Sequence, residues 1–148
     1  MKTYFKDLFE YQHAMNQKTI LLCMSHGDKL TERTQGLLFH NQKAHKIWNC
    51  RILNQEFADQ RQIYNWDEML KEDLLNFKNT IQILDDRDLN EQISYKTSHG
   101  ELFQNTIQEI MTYVSNHHSH HRAQVISDLR QQGIQPPVTD YIFYKREK

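Results

Sequence analysis

The amino-acid sequence predicts an all-α protein, a four-helix bundle in which residues 1–148 form a single domain. Four stretches of roughly twenty residues repeat apolar side chains every three or four positions, which is the spacing of an amphipathic helix. The chain contains only 4 glycines and 2 prolines, so little interrupts those helices. Its 148 residues suit one domain, and a hydrophobic content of 38% favours an ordered core.

The first two predicted helices occupy the N-terminal part of the chain. The first runs over about residues 4–23 and is interrupted by "SHGD" at 25–28, where a glycine permits a turn. The second runs over about residues 34–57 and contains "GLLFHNQKAHKIWNCRIL". Its predicted core-facing positions are Leu37, His40, Ala44, Ile47, Trp48 and Ile52.

The third predicted helix begins at Asn65, a residue type that caps helices, and ends at "DDRD". Its predicted core-facing positions are Leu70, Leu74, Phe77, Ile81 and Leu84. The connection before it, about residues 58–64, is longer than a minimal turn. The up and down order of the helices is therefore not settled by helical periodicity alone.

A short hairpin and a fourth helix complete the predicted fold. The segment "EQISYKTSHGELFQN" alternates apolar and polar residues around a turn at 98–100, which predicts a hairpin. The fourth helix is predicted to open at Asn105, with Gln108 completing a capping box, and to stop at Gly133. The tail "IQPPVTDYIFYKREK" is predicted to be extended and to end in a short helix.

The stretch "NHHSHHRAQ" places four histidines within five positions of the fourth predicted helix. His117 and His121 are four residues apart, so they lie one turn apart on one face and can bind one cation. His118 and His121, three residues apart, can also chelate, and His118 lies nearer the centre of the apolar arc. Helical periodicity leaves both pairs open, while His120 is predicted to face away from the core.

A third ligand would complete a site of the hydrolytic-zinc type, which keeps one position open for water. The candidate is His40, which lies on the predicted core stripe of the second helix. His45 lies about 140° around that helix from His40 and is predicted to face solvent. The alternative interpretation of each histidine is a hydrogen-bonded core residue that binds no metal.

Charge and composition exclude several classes of function. A net charge of −1 lacks the broad basic surface of a non-specific nucleic-acid binder, so we expect no nucleic-acid partner. No apolar stretch has the length of a signal peptide or a membrane span, and we expect no membrane partner. Cys23 and Cys50 form no C-x-x-C pair and are expected to be reduced, which predicts residence in the cytoplasm.

Several segments resemble the DinB/YfiT-like family of DNA-damage-inducible proteins. "LLFHNQKAHKIW" is similar to the family's pattern of a His followed eight residues later by a Trp, and "NHHSHHRAQ" to its element in which a His is followed, two residues further on, by His-His-Arg. "ISYKTSHGELF" and "GIQPPVTDYIFY" resemble its hairpin and its C-terminal signature. The likeness covers nearly the whole chain in order. Two positions depart from the common pattern: Ala123 replaces a Gly, and Tyr113 replaces a His and is expected to shape the pocket.

The resemblance implies a bundle in up-down-down-up order and a divalent metal ion bound by His40, His117 and His121. It implies a metal-dependent enzyme of the stress response that acts on small molecules in detoxification, as a transferase of a low-molecular-weight thiol or as a hydrolase. Zn²⁺ is the first expectation because imidazole suits it, with Ni²⁺, Fe²⁺ and Mn²⁺ as alternatives. The competing hypothesis is a non-catalytic metal-binding or interaction module. Family members often form homodimers, which is a further expectation here.

Three more residues of the fourth helix are candidates for roles near the ion. Arg122 is expected either to hold a carboxylate of the thiol or to form a salt bridge with a neighbouring helix. Gln124 and Asp128 lie on the face of His117 and are candidates to accept the second N–H of a ligating imidazole.

Overall fold

The computed structural model describes residues 1–58 and 65–147. Over these residues the chain is mostly helical, with five α-helices and one two-stranded antiparallel sheet. The elements in chain order are α1 (Lys2–Ser25), α2 (Glu32–Leu53), α3 (Trp66–Asp86), β1 (Gln92–Lys96), β2 (Leu102–Thr106), α4 (Ile107–Gln131) and α5 (Tyr141–Arg146). A 3₁₀ turn at Gly27–Lys29 joins α1 to α2, at the predicted interruption.

Helix α2 is shorter at its C-terminus than the sequence predicted. Thr31 caps its start, with a side-chain oxygen that accepts a hydrogen bond from the Thr34 N–H. Asn54 then adopts a left-handed conformation with φ 54°, which ends the helix. The predicted extension to Phe57 is therefore wrong. Most of the predicted connection, residues 59–64, lies outside the described residues.

Helix α3 begins as predicted, because the Asn65 side chain accepts a hydrogen bond from the Glu68 N–H. Its buried face is rotated from the predicted one. Leu74 and Leu75 are exposed, whereas Asp73 and Asn76 are buried. The prediction followed the leucines, but half of the buried positions of α3 are polar: Asp73, Asn76 and Thr80.

The hairpin is confirmed, with Ile93 paired to Asn105 and Tyr95 to Phe103. Helix α4 starts one residue later than predicted. Its cap is Thr106, and a reciprocal capping box joins Thr106 to Glu109 instead of Asn105 to Gln108. The predicted stop is confirmed at Gly133, where φ is +73°.

The core has two apolar clusters with a polar layer between them. One apolar cluster includes Phe9, Ile52 and Met111, and the other includes Ile20, Met69 and Leu129. The polar layer lies at the middle of the four long helices and consists of buried residues: Gln12, Asn16, Asn41, Gln42, His45, Asn49, Asp73, Asn76, Thr80, Ser115, His118 and Arg122. Most of these buried groups are hydrogen-bonded to another helix, so this layer fixes how the helices are aligned.

Over residues 1–58 and 65–147, no helix is both long enough and apolar enough to cross a membrane.

Candidate metal centre

The structure brings His40 of α2 together with His117 and His121 of α4. Each of the three offers a ring nitrogen, and these nitrogens all lie within 4.8 Å of one another. The Nε2 atoms of His40 and His117 are 3.0 Å apart. The His117 and His121 rings, one helical turn apart, have centroids 4.4 Å apart. We call these residues the three-histidine cluster, and it could hold a metal ion.

Gln124 positions one ring of the three-histidine cluster. Its Oε1 accepts a hydrogen bond from His121 Nδ1 at 2.6 Å, which places the proton on Nδ1 and leaves the Nε2 lone pair for a ligand. Asp128, the other predicted partner, is bound elsewhere, to Arg33 and to the Thr34 hydroxyl. Of the two residues predicted to support the site, only Gln124 contacts a cluster histidine.

His40 and His117 are neutral near physiological pH, as metal ligands must be. Partial burial and the nearby His121 and His40 rings together lower the pKa of His117 to about 4. Burial and the neighbouring His121 and Lys43 also lower the pKa of His40. His40 is exposed and His117 is half-buried, so the lone pairs are accessible from solvent.

The donor set and its spacing fit a divalent ion. Two imidazole nitrogens that share a tetrahedral zinc at about 2.0–2.1 Å from the metal lie about 3.3 Å apart. The observed 3.0 Å between His40 and His117 is close to that value. With three imidazoles, a tetrahedral ion would keep one position without a protein ligand. This arrangement is typical of a catalytic site, whereas a structural zinc site has four protein ligands.

The prediction that His45 faces solvent is wrong. His45 and His118 are buried and form what we call the inner pair, with His118 Nε2 2.9 Å from His45 Nδ1. His118 Nδ1 accepts from the Asn16 amide at 3.2 Å, and His45 Nε2 lies 2.7 Å from the Thr80 hydroxyl. All four ring nitrogens therefore have protein partners. His118, the rival ligand left open by periodicity, belongs to the polar layer and not to the cluster.

The face of α2 explains this correction. His40, placed on the core stripe from the sequence, is exposed, and the buried positions are Thr34, Leu38, Asn41, Gln42, His45, Asn49 and Ile52. These positions repeat every three or four residues, but most are polar. Apolar periodicity therefore missed them. The sequence did contain a signal for them, because polar residues also recur every three or four positions in α1 and α3.

The salt bridge predicted between Arg122 and a neighbouring helix is not formed among the described residues. Arg122 is 3% exposed and donates to Gln12 Oε1 at 2.8 Å and to the Tyr11 hydroxyl at 2.9 Å. These acceptors are neutral and belong to α1. Arg122 is therefore a helix-joining residue of the polar layer.

A cavity of about 550 Å³ lies next to the cluster, between α2, α4 and the hairpin. Tyr113 lines it, and its ring is 5.4 Å from the His117 ring and 5.6 Å from the Trp48 ring. Tyr113, which stands where the common family pattern has a His, therefore forms the wall between the cluster and the cavity. His120 is exposed, as predicted, and His13, His26 and His99 lie outside the cluster.

Comparison with known proteins assigns the family. The model of the DinB family matches residues 8–148, nearly the whole chain. The chain belongs to the DinB family. Comparisons with curated proteins and with solved structures give no match.

Proposed function

We propose that this protein is a metal-dependent enzyme of the DinB type that acts on small molecules, with His40, His117 and His121 as the ligands of a divalent ion. The observation that carries the proposal is the three-histidine cluster, whose nitrogens lie within 4.8 Å of one another at a solvent-accessible edge. Zn²⁺ is the first candidate, and Ni²⁺, Fe²⁺ and Mn²⁺ are the alternatives.

The chemistry follows from the charge of the site. Three neutral imidazoles leave the full positive charge of a divalent ion, which would lower the pKa of a water or thiol bound to it. The chain supplies the remaining parts. Gln124 holds His121 in the ligating orientation, and Tyr113 covers one side of His117. Either thiol S-transfer or hydrolysis is compatible with this site, and thiol transfer suits a stress and detoxification role better.

We also infer that the four long helices form a four-helix bundle in up-down-down-up order. Hydrogen bonds between α2 and α3 join Gln42 to Asp73 and Asn49 to Thr80. The residue numbers of the two partners rise together, so these helices run in the same direction. Contacts between α2 and α4 join Thr34 to Asp128 and His40 to His117, in opposite order. Antiparallel contacts of α1 with α3 complete the arrangement, from Lys6–Asp85 to Gln17–Leu70.

A turnover assay tests the enzymatic proposal. Metal-loaded protein is incubated with a panel of low-molecular-weight thiols and an electrophile such as a haloarene, and with a panel of ester and amide substrates. Turnover that disappears in His117→Ala but persists in His120→Ala supports the enzyme. The alternative is a non-catalytic module in which the ion only joins α2 to α4. Metal-dependent melting without turnover on either panel would favour that alternative.

Residence in the cytoplasm and formation of a homodimer stay predictions from the sequence. So does the absence of nucleic-acid and membrane partners.

A further inference from the structure

The cavity beside the cluster has aromatic walls and one guanidinium. Its lining includes the rings of Trp48, Tyr95 and Tyr113 together with Arg51. The Trp48 and Tyr95 rings pack edge to face with centroids 4.8 Å apart. A cavity with mainly apolar walls and a few polar groups is the usual form of a small-molecule site.

Arg51 is stacked against the wall of this cavity. Its guanidinium carbon lies 4.4 Å from the Trp48 ring centre and 4.7 Å from the Tyr95 ring centre. Nη2 donates to the Lys96 carbonyl at 3.2 Å. Over residues 1–58 and 65–147, no carboxylate lies within ion-pair distance of Arg51. A guanidinium has five N–H donors, so most of those of Arg51 are available to an anion.

Glu109 and Arg122, the other charged groups considered, already have hydrogen-bond partners in the protein. Glu109 is in the lining, but its Oε2 accepts from the Thr106 N–H and the Asn105 amide within the cap of α4. Arg122, the arginine first considered for a carboxylate, is buried and bonded to α1. Arg51 is therefore the guanidinium that the structure places in the cavity beside the cluster.

We propose that this cavity binds an anionic small-molecule substrate, with its carboxylate on Arg51 and its flat or apolar body against Trp48, Tyr95 and Tyr113. The proposal deepens the proposed function, because the other end of the molecule would reach the ion at His117. Two aromatic rings, Trp48 and Tyr113, separate the guanidinium from the His117 ring. Three such steps of about 5 Å each join the guanidinium to the His117 ring, so a molecule that follows this wall would span up to roughly 15 Å.

A charge series tests the anion site without any metal. Calorimetric binding of 2-naphthoate, 2-naphthamide and 2-naphthylmethylammonium is measured on chelator-treated full-length protein. We expect 2-naphthoate to bind about tenfold more tightly than the amide, and the ammonium probe to bind most weakly. Equal binding of acid and amide, or preference for the ammonium probe, would overturn the proposal.

The variants Arg51→Gln and Lys96→Gln refine the charge series. Both remove one positive charge near the hairpin, but the Lys96 side chain does not line the cavity. Arg51→Gln should abolish the tenfold preference for the acid, and Lys96→Gln should keep it. An undiminished preference in Arg51→Gln contradicts the proposal. If Arg51→Gln does not fold, as judged by circular dichroism, the comparison of the three probes on the unaltered chain still shows whether the cavity prefers an anion.

A length series tests the connection to the ion. Binding of mercaptoacetate and 11-mercaptoundecanoate is measured on Co²⁺-loaded protein from the thiolate-to-cobalt absorption. Arg51→Gln should weaken the long thiol about tenfold and leave the short one unchanged. Equal loss for both thiols, or for neither, would refute the two-ended binding mode. Absence of any cobalt binding would instead refute the proposed function, while the naphthoate series on metal-free protein would stand independently.

Discussion

The three-histidine cluster and the inner pair come from the same two helices, yet their surroundings give them opposite properties. In the inner pair, every ring nitrogen faces a protein partner: Asn16 donates to His118, and the other contacts join His118 to His45 and His45 to Thr80. In the cluster, the Nε2 atoms of His40 and His117 face each other, and solvent is accessible. Adjacent residues, His117 and His118, therefore differ completely in what their lone pairs can bind.

Hydrogen-bond satisfaction, and not burial alone, therefore separates a histidine that could bind a metal from a structural one. The inner pair forms a directed chain, because the Asn16 amide can only donate, which makes each neutral ring accept on one side and donate on the other. Such a chain stabilises the polar layer and has no lone pair left for a metal. Among residues 1–58 and 65–147, Gln124 is the one side chain outside the cluster that accepts a hydrogen bond from a cluster ring, at His121.

The largest expected effect is loss of metal binding in His117→Ala. Removing one of three imidazoles should weaken metal affinity more than a hundredfold, because loss of a residue that only supports a ligand already costs 10- to 100-fold. Metal-free stability should change by less than about 1 kcal/mol, since His117 is at the solvent edge. Metal titration and urea unfolding measure the two quantities. His120→Ala is the matched control, and equal loss of affinity in that variant would contradict the account.

The next effect is destabilisation by His118→Ala. The change leaves a buried void and removes the partners of Asn16 and His45, so we expect the free energy of unfolding of metal-free protein to fall by about 3–4 kcal/mol. Urea denaturation monitored by circular dichroism measures this change. His120→Ala, the same substitution at an exposed position of the same helix, serves as control. A loss below about 1 kcal/mol would show that the inner pair does not hold the polar layer together.

The interior of the fold could be predicted from the sequence only where it is apolar. The start of α3, the hairpin and the stop at Gly133 follow from local patterns and are confirmed, whereas periodicity left His117 and His118 both open as the partner of His121. The rotation of α2 about its axis could not be predicted from apolar periodicity, because its buried face includes polar residues such as Asn41, Gln42 and Asn49. Polar side chains at helical spacing resemble a solvent-exposed face until partners on α1 and α3 are known.

Acidification should weaken the fold through His45. Burial lowers its pKa to about 4, below the usual value of 6.5. Between pH 6.5 and pH 4 the unfolded chain therefore binds more protons than the folded one, so stability is full above about 6.5 and is lost as pH falls. The loss from His45 is at most about 3 kcal/mol. Urea unfolding at stepped pH measures it. His45→Gln should show a shallower slope, and an unchanged slope would contradict this assignment.

The smallest expected effect concerns Gln124→Leu. Without the hydrogen bond to Nδ1, His121 loses its fixed orientation, and metal affinity should fall about tenfold, equivalent to about 1.4 kcal/mol. Competition with a chelator measures the affinity. Gln131→Leu, on an exposed position of the same helix, is the control. If both variants bind metal like the unaltered protein, Gln124 has no positioning role.

The most direct test is the metal content of protein purified without an affinity tag and dialysed after loading with Zn²⁺. Elemental analysis should find about one ion per chain in the unaltered protein and none in the His40→Ala, His121→Ala double variant. His118→Gln, which alters only the inner pair, should retain the ion. Full occupancy in the double variant would contradict the assignment of the three-histidine cluster as the metal site.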